Sequence, residues 1–176
     1  MEKIKFRGKR IKDGKWIYGN LADYSMKVFN TTIEKKVIFG NIVSFATDNF
    51  EFVVDDCAVD PDSVGQFTGI TDEHGNEVFE GDVLEADYKY DRLGYNGGVD
   101  PDNDCICYGV VEFDNDTLQW VLNIYKAEYP ISKQIEEDGC SLFPLHIFGH
   151  EYGYDNCNLK IIGNIHDNPF LISDKQ

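Results

Sequence analysis

The sequence contains no run of about 18 apolar residues, the length that a membrane-spanning helix requires. Its most apolar stretch, Val37 to Ala46, is interrupted by Gly40 and Asn41. The N-terminus, MEKIKFRGKR, carries bases but no apolar h-region and no small-residue cleavage site. Secretion is therefore not expected, and the cytoplasm is the expected compartment. No CxxC pair occurs, and the five cysteines (Cys57, Cys105, Cys107, Cys140, Cys157) are odd in number and irregularly spaced. A disulfide framework shows an even count in a short secreted chain, so these read as reduced thiols. The chain has no internal repeat, no low-complexity tract and no Gly/Ser/Pro-rich linker.

Positive charge is also scarce. Sixteen Lys and Arg face 32 Asp and Glu, a net charge of −16. The bases are concentrated at the start: residues 1–16 hold seven bases and two acids, net +5, and the other 160 residues net −21. A body this acidic repels phosphate backbones, so nucleic-acid binding is disfavoured outside the N-terminal segment.

What is present is an ordinary globular composition. Hydrophobic residues make up 42% and aromatics 14%, with twelve Phe and ten Tyr, all strand formers, which excludes a disordered acidic chain. At 176 residues the chain makes one large domain or two small ones. It buries roughly 70% of its unfolded surface, enough to fold without disulfide or metal.

Alternation along residues 3–9 predicts a strand with one basic face (Lys3, Lys5, Arg7, Lys9) and one apolar face (Ile4, Phe6). Asp13-Gly14 signals a tight turn before Trp16 to Gly19, so residues 3–21 read as a hairpin. Further strands are expected over 27–33, 36–46 and 50–55. A Gly/Asp/Pro-dense loop follows from Asp60-Pro61. Asp72 to Asn76 reads as a turn between Phe67-Thr68 and Val78-Phe79, with Gly75-Asn76 supplying positive φ. Asp82 to Tyr88 alternates like a strand, and a polar insert runs on to Asp104. Strands at 106–113 and 117–125 flank the turn Asp114-Asn115-Asp116. Pro130, Ile131, Ile135 and Gly139 outline one short helix. Strands near 142–148 and 159–165 and a polar tail close the chain.

Three blocks carry a recognisable pattern: Lys5-Phe6-Arg7-Gly8-Lys9-Arg10 followed by Trp16, Tyr18 and Gly19; VDPDSVGQFTGITDEHGNEVFEGDVL at 59–84; and IIGNIHDNPFLI at 161–172. Together they resemble the YopX-like family, carried mainly by phages and prophages of low-GC Gram-positive bacteria. The resemblance implies a phage accessory protein of unassigned biochemical role whose C-terminal part forms a small SH3-like β-barrel. The insert between about Asp87 and Asp104 and the variable stretch 20–55 depart from the shorter pattern. A small barrel also suits the residues themselves, because short strands, tight turns and closure remove exposed edges. Val83-Leu84, Val110-Val111, Phe113, Leu118, Trp120, Leu122, Leu159 and Ile161 are the inward candidates. Glu80-Gly81-Asp82 makes the sharp bend.

Several polar clusters invite chemistry, and each has a plainer account. His166 beside Asp167 has the makings of an oriented general base. Yet Asp167 and Asn168 also cap turns with their own side chains, and no nucleophile accompanies them. Cys140, His146, His150 and Cys157 resemble a zinc set, but on a strand the two histidines would stand about 13 Å apart. Cys105-Ile106-Cys107 is a CxC, whose thiols share one strand face and pack as small hydrophobes. Asp100, Asp102 and Asp104 imitate a calcium loop, but Cys105 and Val111 stand where it needs Gly and Glu. Gly8-Lys9-Arg10 lacks the spacing of a phosphate loop. Trp16, Tyr18 and Trp120 read as core or as interface anchors.

The expected fold is mainly β: a strand-rich part over 1–58 and a YopX-like region over 59–176, with an SH3-like barrel and at most one short helix. No catalytic, cofactor-binding or metal-ligating residue is assigned. The expected function is a non-catalytic interaction module with an acidic surface, with mimicry of DNA charge as a special case. The alternative is a hydrolase-like or metal-dependent enzyme using His166 and Asp167. The basic strand and acidic body are self-complementary, which predicts a homo-oligomer alongside a host or phage protein partner.

Overall fold

A computed structural model describes residues 4–39, 56–89, 104–129, 131–139, 141–145 and 158–173. The chain divides into two compact units, Met1–Phe67 and Thr68–Gln176. Both are mainly antiparallel β-structure, as the strand-forming composition predicts.

In the first unit, β1 (Phe6–Lys9) and β2 (Trp16–Val28) form the expected hairpin, with Arg7 opposite Tyr18 and Lys9 opposite Trp16. Gly14 takes φ +70° in the turn, a conformation that costs glycine nothing. Arg10 clamps the turn through a bidentate pair with Asp13, Nε to Oδ1 at 2.8 Å and Nη2 to Oδ2 at 2.5 Å. That contact first, with smaller help from Lys15, draws the Asp13 carboxyl down to about 2. β3 (Thr31–Phe39) pairs with β2 over nine residue pairs, and β4 (Ala58–Val59) adds at the far side. On the other side, β1 pairs with the start of β5 (Gly65–Thr71). Val37 and Ala58 make a small core under Tyr24, Phe39 and Cys57. On the opposite face Gly8 lies so close to Ile38 and Val59 that a Cβ would meet them at 3.0–3.2 Å. Packing, not phosphate binding, accounts for that glycine.

One strand expectation is corrected here. Residues 27–33 are not a single strand, because the chain reverses at Phe29-Asn30, with Val28 paired to Thr31. Phe29 sits at φ +53°, where glycine or asparagine is the usual occupant, so composition hid the turn. The strand expected over 36–46 ends within the described residues at Phe39, and its remainder and the strand at 50–55 lie outside them.

The second unit is built on a five-stranded sheet in the order β10-β9-β8-β7-β11. Its strands are β7 (Asp82–Lys89), β8 (Asp104–Asp114), β9 (Gln119–Ala127), β10 (Leu142–Pro144) and β11 (Asn158–Asn164). β6 (Glu77–Phe79) lies beside the end of β5. The core gathers Leu84, Ala86, Val111, Leu122, Ile124 and Leu159 from alternate positions of these strands. The helix α1 (Ile131–Asp138) lies where Ile131, Ile135 and Gly139 predict it. Both isoleucines pack on the core, and Gly139 at φ +66° donates its N–H to the Ile135 carbonyl to end it. At Gly109, beside a bulge, a Cβ would come within 2.6 Å of Leu122 Cγ, so there is no room for one.

Two inward candidates point elsewhere. Phe113 is 38% exposed and Leu118 is 75% exposed, because both lie at the tip of the β8–β9 hairpin beyond the reach of the core. No sheet closes on itself among the described residues; β10 and β11 are the outer strands. The expected SH3-like barrel is therefore not borne out among the described residues, whose sheets are open. A 3₁₀ turn over Pro169–Ile172 follows β11, where a plain polar tail was expected.

Candidate functional site

The second and third sequence blocks meet in the second unit. β7 and β11 pair with Val83 opposite Gly163 and Asp82 opposite Asn164, past an irregularity between Ile161 and Gly163. The bend at Glu80-Gly81-Asp82 is tied from three directions. Gly81, at φ +79°, donates to the Val111 carbonyl at 2.9 Å and accepts from the Ile165 N–H at 2.9 Å. The Asp82 carboxylate, 1% exposed, accepts the Phe79 N–H at 2.8 Å. Buried carboxylates need such donors, so Asp82 is a cap for the bend.

His166 and Asp167 lie in the adjoining turn. Asn164 Oδ1 accepts both of their backbone N–H groups, at 3.0 and 2.8 Å, and Asn164 Nδ2 donates to the Asp167 carboxylate at 3.0 Å. The Asn168 N–H closes the turn on the Asn164 carbonyl. A Cβ on Gly163 would come within 2.6 Å of Asn168 Oδ1 and 2.8 Å of Leu171 Cδ1. Half-buried His166 has its Nε2 near Gly81. The signature GNIHDNP thus encodes an Asx-type turn packed on the EGD bend.

A second knot occupies the turn expected from Asp72 to Asn76, with Asp72 as its unforeseen acceptor. Asp72, 7% exposed, accepts from the backbone of Asn76 at 2.8 Å and His74 at 3.0 Å, and from Asn76 Nδ2 at 2.9 Å. The Ile161 N–H also reaches it, while Glu73 N–H donates to the Leu159 carbonyl. Burial alone pushes this carboxyl up, but the four hydrogen bonds outweigh it and hold Asp72 below its ordinary range. Its signal was there: an Asp two residues before His74 and four before Asn76 is an Asx-turn spacing.

Cys105 and Cys107 are fully buried on one face of β8, with sulfurs 3.9 Å apart and not bonded. Burial first, then the neighbouring Cys105, pushes the Cys107 thiol far up, the opposite of what a nucleophile requires. Cys140, His146, His150 and Cys157 lie outside the described residues, as do Asp100, Asp102 and the insert from residue 90 to residue 103. Among the described residues no three His, Cys, Asp or Glu groups are placed to hold a metal ion. No helix among them is long and apolar enough to cross a membrane.

The basic strand is interleaved with rings. Lys5 Nζ lies 5.6 Å from the Tyr18 centroid, Arg7 Cζ 4.7 Å and Lys9 Nζ 5.6 Å from that of Trp16. Arg7 is buried at 7% exposure, so this face is built into the structure.

The exposed chemistry gathers at the tip of β8–β9. Phe113 and Trp120 oppose each other and stack edge to face with centroids 5.1 Å apart. Leu118 stands beyond them at φ +55°. Asp114, whose carboxylate takes the Thr117 hydroxyl and the Asp116 N–H, is held below its ordinary range by those bonds, so the tip stays charged. From Gly109 to Tyr125 the hairpin carries three acids, Glu112, Asp114 and Asp116, and no base.

These features define a class: an antiparallel β-protein whose buried polar clusters build turns and which exposes bulky apolar groups at two hairpin tips, Phe29 and Leu118. The chain belongs to the YopX family, because the family model described as YopX protein matches residues 5–173. No curated protein matches it.

Proposed function

We propose that this protein is a non-catalytic interaction module of a phage or prophage, acting in the bacterial cytoplasm as a homo-oligomer. On this reading it binds a basic, partly apolar surface of a host or phage protein through the β8–β9 tip. The observation that carries the reading is Leu118: a bulky apolar side chain, 75% exposed, held at positive φ inside an acidic rim. A bulky residue in water at positive φ is an outlier of the kind that gathers at functional sites. Part-exposed Phe113, set edge to face on Trp120, adds a second apolar group at the tip, of the aromatic kind that interface anchors use. Unbonded, buried Cys105 and Cys107 suit a reducing compartment. Mimicry of DNA charge is the special case in which the partner's basic surface is a nucleic-acid site.

The test compares tagged wild-type and Leu118→Asp protein in capture from host lysate, eluted by a salt gradient. A protein held by wild-type, lost from the variant and displaced by duplex DNA supports the tip and the mimicry together. Displacement failing while the variant effect holds keeps the tip and removes mimicry. Equal capture by both proteins contradicts the reading.

A further inference from the structure

β2 is much longer than its neighbour. β1 covers only Trp16 to Gly19, and β4 reaches β3 only at Lys36 and Val37. From Leu21 onward the outer edge of β2 has no strand beside it among the described residues. A two-stranded ribbon is marginal alone in water, and an open edge of this length is a template for another strand.

The sequence along that edge is self-complementary. Two copies of one strand pair antiparallel about a two-fold axis perpendicular to the sheet, and cross-strand partners must share a face. With the axis at Ser25, Asp23 stands opposite the partner's Lys27, and Lys27 opposite the partner's Asp23. On the other face Tyr24 meets the partner's Met26, extending the contact between Tyr24 Oη and Met26 Sδ at 3.3 Å within one chain. Moving the axis one residue either way destroys this: centred on Tyr24, Asp23 faces a serine and Leu21 a lysine. Centred on Met26, Asp23 faces Phe29. Only the Ser25 register sets acid against base.

The charged groups of the edge stand in water: Lys27 is exposed, and Asp23, 82% exposed, is bound within the chain to Lys36 of β3 at 2.8 Å. We infer that two copies of this chain join through the β2 edges, antiparallel about Ser25. The inference rests on the self-association proposed above and names the surface that makes it.

The experiment is light scattering of the full chain at physiological salt over a concentration series, for wild-type, Lys27→Asp and the double variant Asp23→Lys/Lys27→Asp, alone and with Lys36→Asp. Lys27 has Thr32 opposite it within the chain, so its change removes no cross-strand ion pair from the hairpin. Lys27→Asp turns two attractive pairs into two repulsive ones and should weaken association at least about tenfold. The double variant restores the pairing between copies, and with Lys36→Asp added the cross-strand pair within each chain is kept with its signs reversed, so association should recover in that triple variant. In parallel, Ser25→Cys should be joined into dimers by a short bis-maleimide, since paired Cβ atoms lie about 5 Å apart, and wild-type should not. A wild-type oligomer unaffected by Lys27→Asp and not joined at position 25 overturns this edge while leaving self-association standing. A wild-type monomer overturns both.

Discussion

Leu118 and Phe29 share an unusual position: each is a large apolar residue, largely in water, in the left-handed backbone region. An L-residue there costs roughly 1–2 kcal/mol, and glycine avoids the clash at some entropic loss in the unfolded chain. Leu118→Gly and Phe29→Gly should therefore raise stability by about 0.5 kcal/mol, up to about 1, in urea denaturation. Leu118→Gly should at the same time lose partner capture. A loss of stability at both positions would mean the side chains serve the fold. Asp72 works in the opposite sense. Replacing it with Asn removes charge-assisted bonds from a buried acceptor and should cost about 1–3 kcal/mol. Its folded pKa is depressed, so in the acid window the unfolded chain binds more protons. The stabilisation is complete above the ordinary carboxyl range near 3.8 and is lost as pH falls through the lower folded value. Comparing urea midpoints of wild-type and Asp72→Asn at neutral and strongly acid pH checks the sign, because the gap should narrow on acidification.

At the scale of elements, local chemistry made much of the fold legible and non-local pairing hid the rest. Asp13-Gly14, Asp114-Asn115-Asp116 and Gly75 announce their turns, and the i, i+4 isoleucines before Gly139 announce α1. Ile131 is 2% exposed, so Ile131→Ala should cost about 2–5 kcal/mol in thermal or urea unfolding of the second unit. A cost below 1 kcal/mol would show that α1 is not part of that core. The reversal at Phe29 was illegible because the residue contradicts the turn it occupies. The placement of β10 beside β9 and β11 beside β7 joins segments far apart in sequence, and no local pattern encodes it. The same applies to the candidate sites. The turn at Asn164 to Asn168 was readable from its residues, but its main cap is Asn164 where Asp167 and Asn168 were expected, and the exposure of Phe113 and Leu118 depended on where the core ended.

For the whole molecule, the distribution of charge matters more than its sum. The bases of β1 are interleaved with Trp16 and Tyr18, while from Gly109 to Tyr125 the β8–β9 hairpin carries acids alone. An acidic tip with exposed apolar groups gives both steering, which salt screens, and a contact that salt does not abolish. Acidic surface alone would lose its partner completely as ionic strength rises.

The most direct measurement is the affinity of the captured partner for wild-type and Leu118→Asp protein as ionic strength rises from low to physiological. The account predicts wild-type binding that weakens with salt but persists, and binding by the variant that is weaker by at least about tenfold throughout, as loss of an interface anchor implies. Equal affinity of the two proteins at every salt concentration would contradict it.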